Sequence, residues 1–224
     1  MKIFFVLFAL LTVVLAVYPF LNQTENSKTL TGLPWQIDIL ADGSTKVFGL
    51  QIGGSRLSEA LEILGGDMDL AIITATDMQE SGNLEMYYGF YKAGLLSGKL
   101  ILQTDASEQN IKRWSNNSPG FEYMASGLAK KHLLLNEDLP QALDEIIISL
   151  TFIPAVNLDE DVILARFGKP EKSIQLSGVT HFLYPEKGLD IALHEDSKEV
   201  LQYVAPNSFQ QLIQPLNELA NKRK

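Results

Sequence analysis

Residues 157–205 constrain the fold most. A short acid-headed apolar run, NLDEDVILARFGKPEK, is followed by four extended stretches near 172–177, 180–185, 188–194 and 199–205. Strands this close together leave no room for the crossover of a dozen or more residues that a parallel pair requires, so they must form an antiparallel meander. The run before them reads as a helix. Asn157 is placed to cap it, Asp159, Glu160 and Asp161 fall in the first turn where free N–H groups and the helix dipole favour negative charge, and Gly168 with Pro170 ends it. Consecutive residues point about 100° apart around a helix, and no histidine or further aspartate follows at i+3 or i+4. The three acids therefore begin a helix and do not converge on a metal.

A similar order is legible earlier in the chain. Trp35, Ile37 and Ile39 alternate with Gln36 and Asp38, Asp42-Gly43 marks a turn, and residues 46–50 resume the extended pattern, which predicts a hairpin. In GGSRLSEALEILGG, Ser55 is placed to cap, Leu57, Ala60, Leu61 and Leu64 recur at helical spacing, and Gly65-Gly66 can end the helix. Strands are expected at 69–76, 84–91 and 97–104, a helix at 107–116, a loop at 116–120, and an extended segment through Leu135. A helix at 136–148 and a strand at 150–153 follow, and the last helix, 208–222, should kink at Pro215. Helix starts recur about 103 residues apart. The expected fold class is α+β: two similar helix-plus-antiparallel-sheet units, residues 33–120 and 121–224, arranged as a tandem repeat.

Ahead of them, Lys2 precedes an apolar run from Ile3 to Leu21. As a helix it would extend about 28 Å, close to the ~30 Å hydrocarbon core of a bilayer. It is longer than the ~7–15-residue apolar region of a cleaved signal peptide, although Val14-Leu15-Ala16 offers a small-x-small site. Residues 1–21 are therefore expected to be a transmembrane anchor, and the polar residues 22–32 a linker. Lys2 votes for a cytoplasmic N-terminus. The expectation is a single-pass inner-membrane protein that meets the lipid bilayer through residues 3–21 and holds its C-terminal domain in the periplasm.

Charge and chemistry exclude several classes. The chain carries 18 basic and 27 acidic residues, a formal net charge of −9, so phosphate backbones would be repelled and no nucleic-acid partner is expected. It has no cysteine, which removes disulfides, zinc-thiolate sites and thiol catalysis. No G-x-S-x-G or H-E-x-x-H occurs, and Gly53-Gly54-Ser55 lacks both the Walker lysine and the dinucleotide spacing. His181 and His194 could meet across a hairpin turning at 185–188. A hydrolase-like enzyme would need a cavity with one of them beside Asp190 or Glu195. No catalytic, cofactor-binding or metal residue is assigned, and no cofactor is expected.

MYYGFYKAG, from Met86, places aromatics on both faces of a strand, as in a central core strand or a partner-binding face. The candidate interface anchors are Trp35, Tyr88 and Tyr184.

At 156–205 the chain resembles the SmpA/OmlA-type outer-membrane assembly lipoproteins. The likeness rests on Phe167-Gly168-Lys169-Pro170 after a helix, Tyr184 in a following strand, and a valine-rich edge from Val200 to Val204. The tandem arrangement is similar to the β-lactamase-inhibitor-protein fold. The resemblance covers about a quarter of the chain, and this sequence departs from the pattern in lacking a lipidated cysteine and, at Gly65-Gly66, the proline. It implies a non-catalytic envelope module acting by protein–protein interaction with an envelope protein or complex, as an assembly accessory or an inhibitor-like binder. The alternative is a periplasmic binder of an apolar or lipidic ligand between the two units, which a pocket lined from AIITAT and LEMYYGFY would favour.

Overall fold

The computed structural model describes residues 31–76 and 82–221. Thr31–Lys224 forms one compact unit. A three-stranded sheet comes first: β1 (Asp38–Ile39), β2 (Thr45–Val47) and β3 (Leu50–Gln51). Helix α1 (Leu57–Leu64) precedes β4 (Asp69–Ala75), β5 (Gly82–Ala93) and β6 (Leu96–Thr104). Then come α2 (Glu108–Asn117), β7 (Phe121–Tyr123), β8 (Ala129–Leu133), α3 (Leu139–Leu143) and β9 (Ile147–Pro154). Helix α4 (Glu160–Phe167) leads into β10 (Lys172–Leu176), β11 (Val179–Tyr184), β12 (Leu189–His194) and β13 (Val200–Val204), and α5 (Phe209–Asn221) follows.

Strands β4 to β13 join in a single ten-stranded antiparallel sheet, ordered β10-β11-β12-β13-β9-β6-β5-β4-β8-β7. This corrects the expected α+β class with two sheet units. The chain is mostly β, and its strands unite in one sheet because β9 pairs with β6 on one side and β13 on the other. Residues 136–148 also differ from expectation. Only Leu139–Leu143 is helical, and Ile147 already belongs to β9, where it meets Thr104. Its β-branched neighbours Ile146 and Ile148 suit a strand as readily as a helix face, so periodicity alone could not arbitrate.

The membrane assignment is corrected as well. Among the described residues no helix is long and apolar enough to cross a membrane, so a single-pass inner-membrane placement has no support in the structure. Residues 3–21, on which that expectation rested, lie outside the described residues.

Register shows why the sheet holds together. Residues directly opposite one another share a face. One such row runs Tyr88, Leu100, Phe152, Leu201, Ile191, Phe182 from β5 to β11, and the next runs Met86, Leu102, Leu150, Tyr203, Leu189, Tyr184. All twelve are buried. Helices α1 to α4 and the three-stranded sheet pack over this face through Leu57, Trp114, Ala142, Phe167 and Phe48. Phe48 lies over the β9–β13 seam, its ring centroid 5.5 Å from that of Phe152 and 5.9 Å from that of Tyr203. On the opposite face α5 packs Phe209 and Ile213 against Ile174, Leu183 and Val204.

Candidate functional site

The three aromatics singled out in sequence occupy different settings. Tyr88 is 2% exposed and donates its hydroxyl to the Gly65 carbonyl at 3.0 Å; Tyr184 is 5% exposed and donates to the Gly168 carbonyl at 2.9 Å. Each ties the C-terminus of a helix to the sheet. Burial pushes both phenols up to about 12, helped at Tyr88 by the neighbouring Tyr91. Trp35 is half-buried, edge-on to Phe167 and beneath the Arg166 guanidinium, 4.9 Å from its ring. It also lines an open groove of about 620 Å³ together with Lys46, Phe48 and Ile63. The structure does not gather the three into one surface.

Of the residues of LEMYYGFY, Tyr87, Gly89 and Phe90 line an open hollow of about 240 Å³ with Asp67, Met68 and Asp69. Ile72, Leu84 and Met86 are fully buried beside Tyr88 in the core. The solid packing follows from β5 lying between β4 and β6 with helices above it.

Histidines 181 and 194 do not meet, because Val179 is the partner of His194 and Ala192 that of His181. His181 instead places Nδ1 2.8 Å from Asp190 Oδ2, with both side chains nearly buried. Asp190 Oδ1 has no hydrogen-bond partner among the described residues. A His–Asp pair is two thirds of a nucleophile-activating triad, and such a triad is complete only with a hydroxyl or thiol on the second imidazole nitrogen. No group of three or more acidic, histidine or cysteine side chains could hold a metal ion among those residues either.

The ends of α4 show how local sequence chemistry sets surfaces. Asp159, not Asn157, is the cap, and its Oδ1 accepts the Val162 N–H at 2.8 Å. Asn157 Oδ1 instead accepts from Lys198 Nζ. At α1 no side chain caps, since Ser55 Oγ accepts the Gln51 N–H at 3.2 Å.

The surface most suited to binding is one that sequence reading did not resolve. Strands β7 and β8 form the end of the ten-stranded sheet, and their hairpin exposes Phe121, Tyr123, Met124, Leu128 and Leu133, with Tyr123 63% and Leu128 74% exposed. Gly127, with φ +69°, makes the turn and donates its N–H to the Met124 carbonyl. The Leu133 N–H bonds the Gly120 carbonyl, and the Met124 N–H bonds the Ala129 carbonyl. Antiparallel alternation then turns the N–H and C=O groups of Phe121 and Tyr123 away from β8, toward the open edge.

On the face that carries these two rings, Lys130 Nζ lies 4.9 Å from the Phe121 ring centroid and 5.7 Å from that of Tyr123. His132 lies against Phe121, with Nε2 3.0 Å from Thr74 Oγ1. Burial, and then the Lys130 charge, holds the His132 pKa below the ordinary 6.5, so the ring is neutral at neutral pH. The only hint in the sequence is the spacing of FEYMASGLAKKHL, two short alternating runs about a glycine turn.

No protein-family model, curated protein or solved structure matches this chain.

Proposed function

We propose that the chain is a non-catalytic binding module, and that the β7–β8 edge receives an extended, apolar and acidic segment of a partner protein. The observation that carries this reading is the coincidence at one place of an open strand edge, five exposed apolar side chains and a local positive charge. Strand addition draws affinity from main-chain hydrogen bonds and specificity from alternate side chains. Phe121 and Tyr123 offer the outward-facing backbone groups, and their rings offer anchors of the kind enriched at binding hot spots. Lys130 gives the ring-bearing face of this edge a positive charge in a protein whose formal net charge is −9, while Glu122 stands opposite Lys131 on the other face. Acidic side chains in the partner strand would meet Lys130 there; Lys131 is already engaged by Asp69, at 2.9 Å.

The sequence resemblance to an envelope-assembly module points to the same class of function. An unprotected apolar edge is ordinarily blunted by charge, proline or a covering element. Here a single lysine covers two aromatic faces and, among the described residues, no strand pairs with the outer edge of β7, an arrangement suited to a displaceable contact.

The test is a photo-crosslinking residue at Leu128, compared in intact cells with the same residue at Leu95, an exposed position on the β5–β6 turn. The expected result is one protein adduct specific to position 128. It should persist in part with Tyr123→Ala and vanish with Tyr123→Pro, which removes an outward N–H without touching the β7–β8 ladder. Identical adducts at both positions, or an adduct indifferent to Tyr123→Pro, would overturn the proposal. An adduct with a second copy of the chain would also overturn it and make the edge a self-association surface.

A further inference from the structure

A cavity of about 370 Å³ opens where the N-terminus of α4 meets β11 and the β12–β13 turn. Asp159, Glu160, Glu195 and Glu199 line it, with His194 at its wall. None of the four carboxylates forms an ion pair among the described residues. The neighbouring cation, Lys198, is engaged at the rim, donating to the Ala155 carbonyl at 2.7 Å and to Oδ1 of Asn157, which itself lines the cavity. Asp159 is occupied in capping α4.

Glu199 is the unusual member. It is only 3% exposed, and its Oε2 is fully buried with no hydrogen-bond partner among the described residues. A buried carboxylate oxygen left unpaired is costly, and that cost is recovered only if a donor arrives. The wall of a cavity lined by three further acids is where a cationic donor would arrive.

We infer that this cavity binds a guanidinium group. The described acids do not converge tightly enough for a bare metal ion, and the volume suits a side-chain-sized cation. A guanidinium presents up to five N–H donors in a plane and is less strongly hydrated than an ammonium, so it can satisfy the buried Glu199 oxygen while reaching Glu195 or Glu160 at the mouth. The site lies on the β10–β13 half of the sheet, away from the β7–β8 edge, and does not depend on the function proposed for that edge.

Two sources carry this chemistry, a free small molecule and an arginine of another protein. Agmatine and a blocked Gly-Arg-Gly peptide represent them, each titrated into the purified full-length chain and followed by amide shifts at Leu158, Thr180 and Glu199. Binding of agmatine at least as tight as that of the peptide identifies a small-molecule site, and tighter peptide binding identifies an arginine-docking site. Either supports the inference, provided that Glu199→Gln weakens binding tenfold or more while leaving the melting temperature of the ligand-free protein unchanged or higher. That combination separates a ligand site from a structural role, in which Glu199→Gln would lower the melting temperature. No millimolar or tighter binding by either probe, or binding unchanged in Glu199→Gln, would overturn it.

Discussion

The segments α1–β4–β5 and α4–β10–β11 solve one problem with different residues. In both, an eight-residue helix ends at a glycine of positive φ, Gly65 at +94° and Gly168 at +85°, whose N–H closes back on the helix at Leu61 or Leu164. In both, a tyrosine on the second strand that follows reaches up to that glycine's carbonyl. The surroundings differ. Helix α4 has a side-chain cap and Pro170 just past its end, whereas α1 has neither. Lys187 reinforces the second site by donating to the Phe167 carbonyl and lying 5.2 Å from the Tyr184 ring centroid.

Outward from the β9–β13 pair the strand order is β9, β6, β5, β4 on one side and β13, β12, β11, β10 on the other. The halves diverge most in the connection between the two strands nearest that centre. A turn joins β12 to β13, while α2, β7, β8 and α3 intervene between β6 and β9. What recurs in both halves is buried and binds helix to sheet. The β7–β8 hairpin, present in one half alone, exposes its apolar side chains, whereas α2 and α3, which flank it in the same insertion, bury Trp114 and Ala142 in the core.

The largest test of this comparison is to remove the tyrosines. Tyr88→Ala and Tyr184→Ala should each cost about 3–5 kcal/mol of unfolding free energy, as for other buried aromatics, measured by denaturant titration. A loss at one site and none at the other would break the equivalence. The same pair makes an alkaline prediction. Both phenols are raised from 10 to about 12, so the folded state binds the protons more tightly. Their stabilisation is complete below pH 10 and is lost as pH rises through 12, a loss that Tyr88→Phe with Tyr184→Phe should diminish.

The cap glycines come next. With ψ of 174° at Gly65 and −173° at Gly168, both occupy a region essentially closed to side-chain-bearing residues, although a Cβ would meet nothing within 4 Å at either. Gly65→Ala and Gly168→Ala should each cost about 1–3 kcal/mol through backbone strain alone. Equal thermal shifts would confirm that the two ends are one device. The capping difference is smaller: Asp159→Ala should cost about 1 kcal/mol, whereas Arg56→Ala at the corresponding position should lose no cap contribution. Smallest of all, Phe121→Ser and Tyr123→Ser should each change stability by no more than about 0.5 kcal/mol, because they lie on an exposed edge. A large loss there would make the hairpin part of the core and remove its claim to be a binding surface.

Much of this architecture is legible residue by residue. Strands β4, β5, β6 and β10 to β13 announce themselves through period-two alternation, and α1 and α4 through helical spacing that stops at glycine, because side-chain direction is a local property of the backbone. The acids at 159–161 likewise declare a helix start, although only coordinates distinguish Asp159 from Asn157 as the cap. Tyr88 and Tyr184 stand out as aromatics in strands, but no local pattern tells whether such a ring faces a helix or a partner.

The sequence by itself determined helices α1 and α4, the strands of the two meanders with their antiparallel sense, and the charge that disfavours nucleic acid. Only the tertiary structure decided that β9 joins the two halves into one sheet, that His181 meets Asp190 rather than His194, and that Glu199 is sealed into a cavity wall without a partner among the described residues. Each of these depends on which strand edges pair and in what register. Pairing is settled by burial summed over residues far apart in the chain, and a shift of one residue would turn every side chain of a strand to the other face.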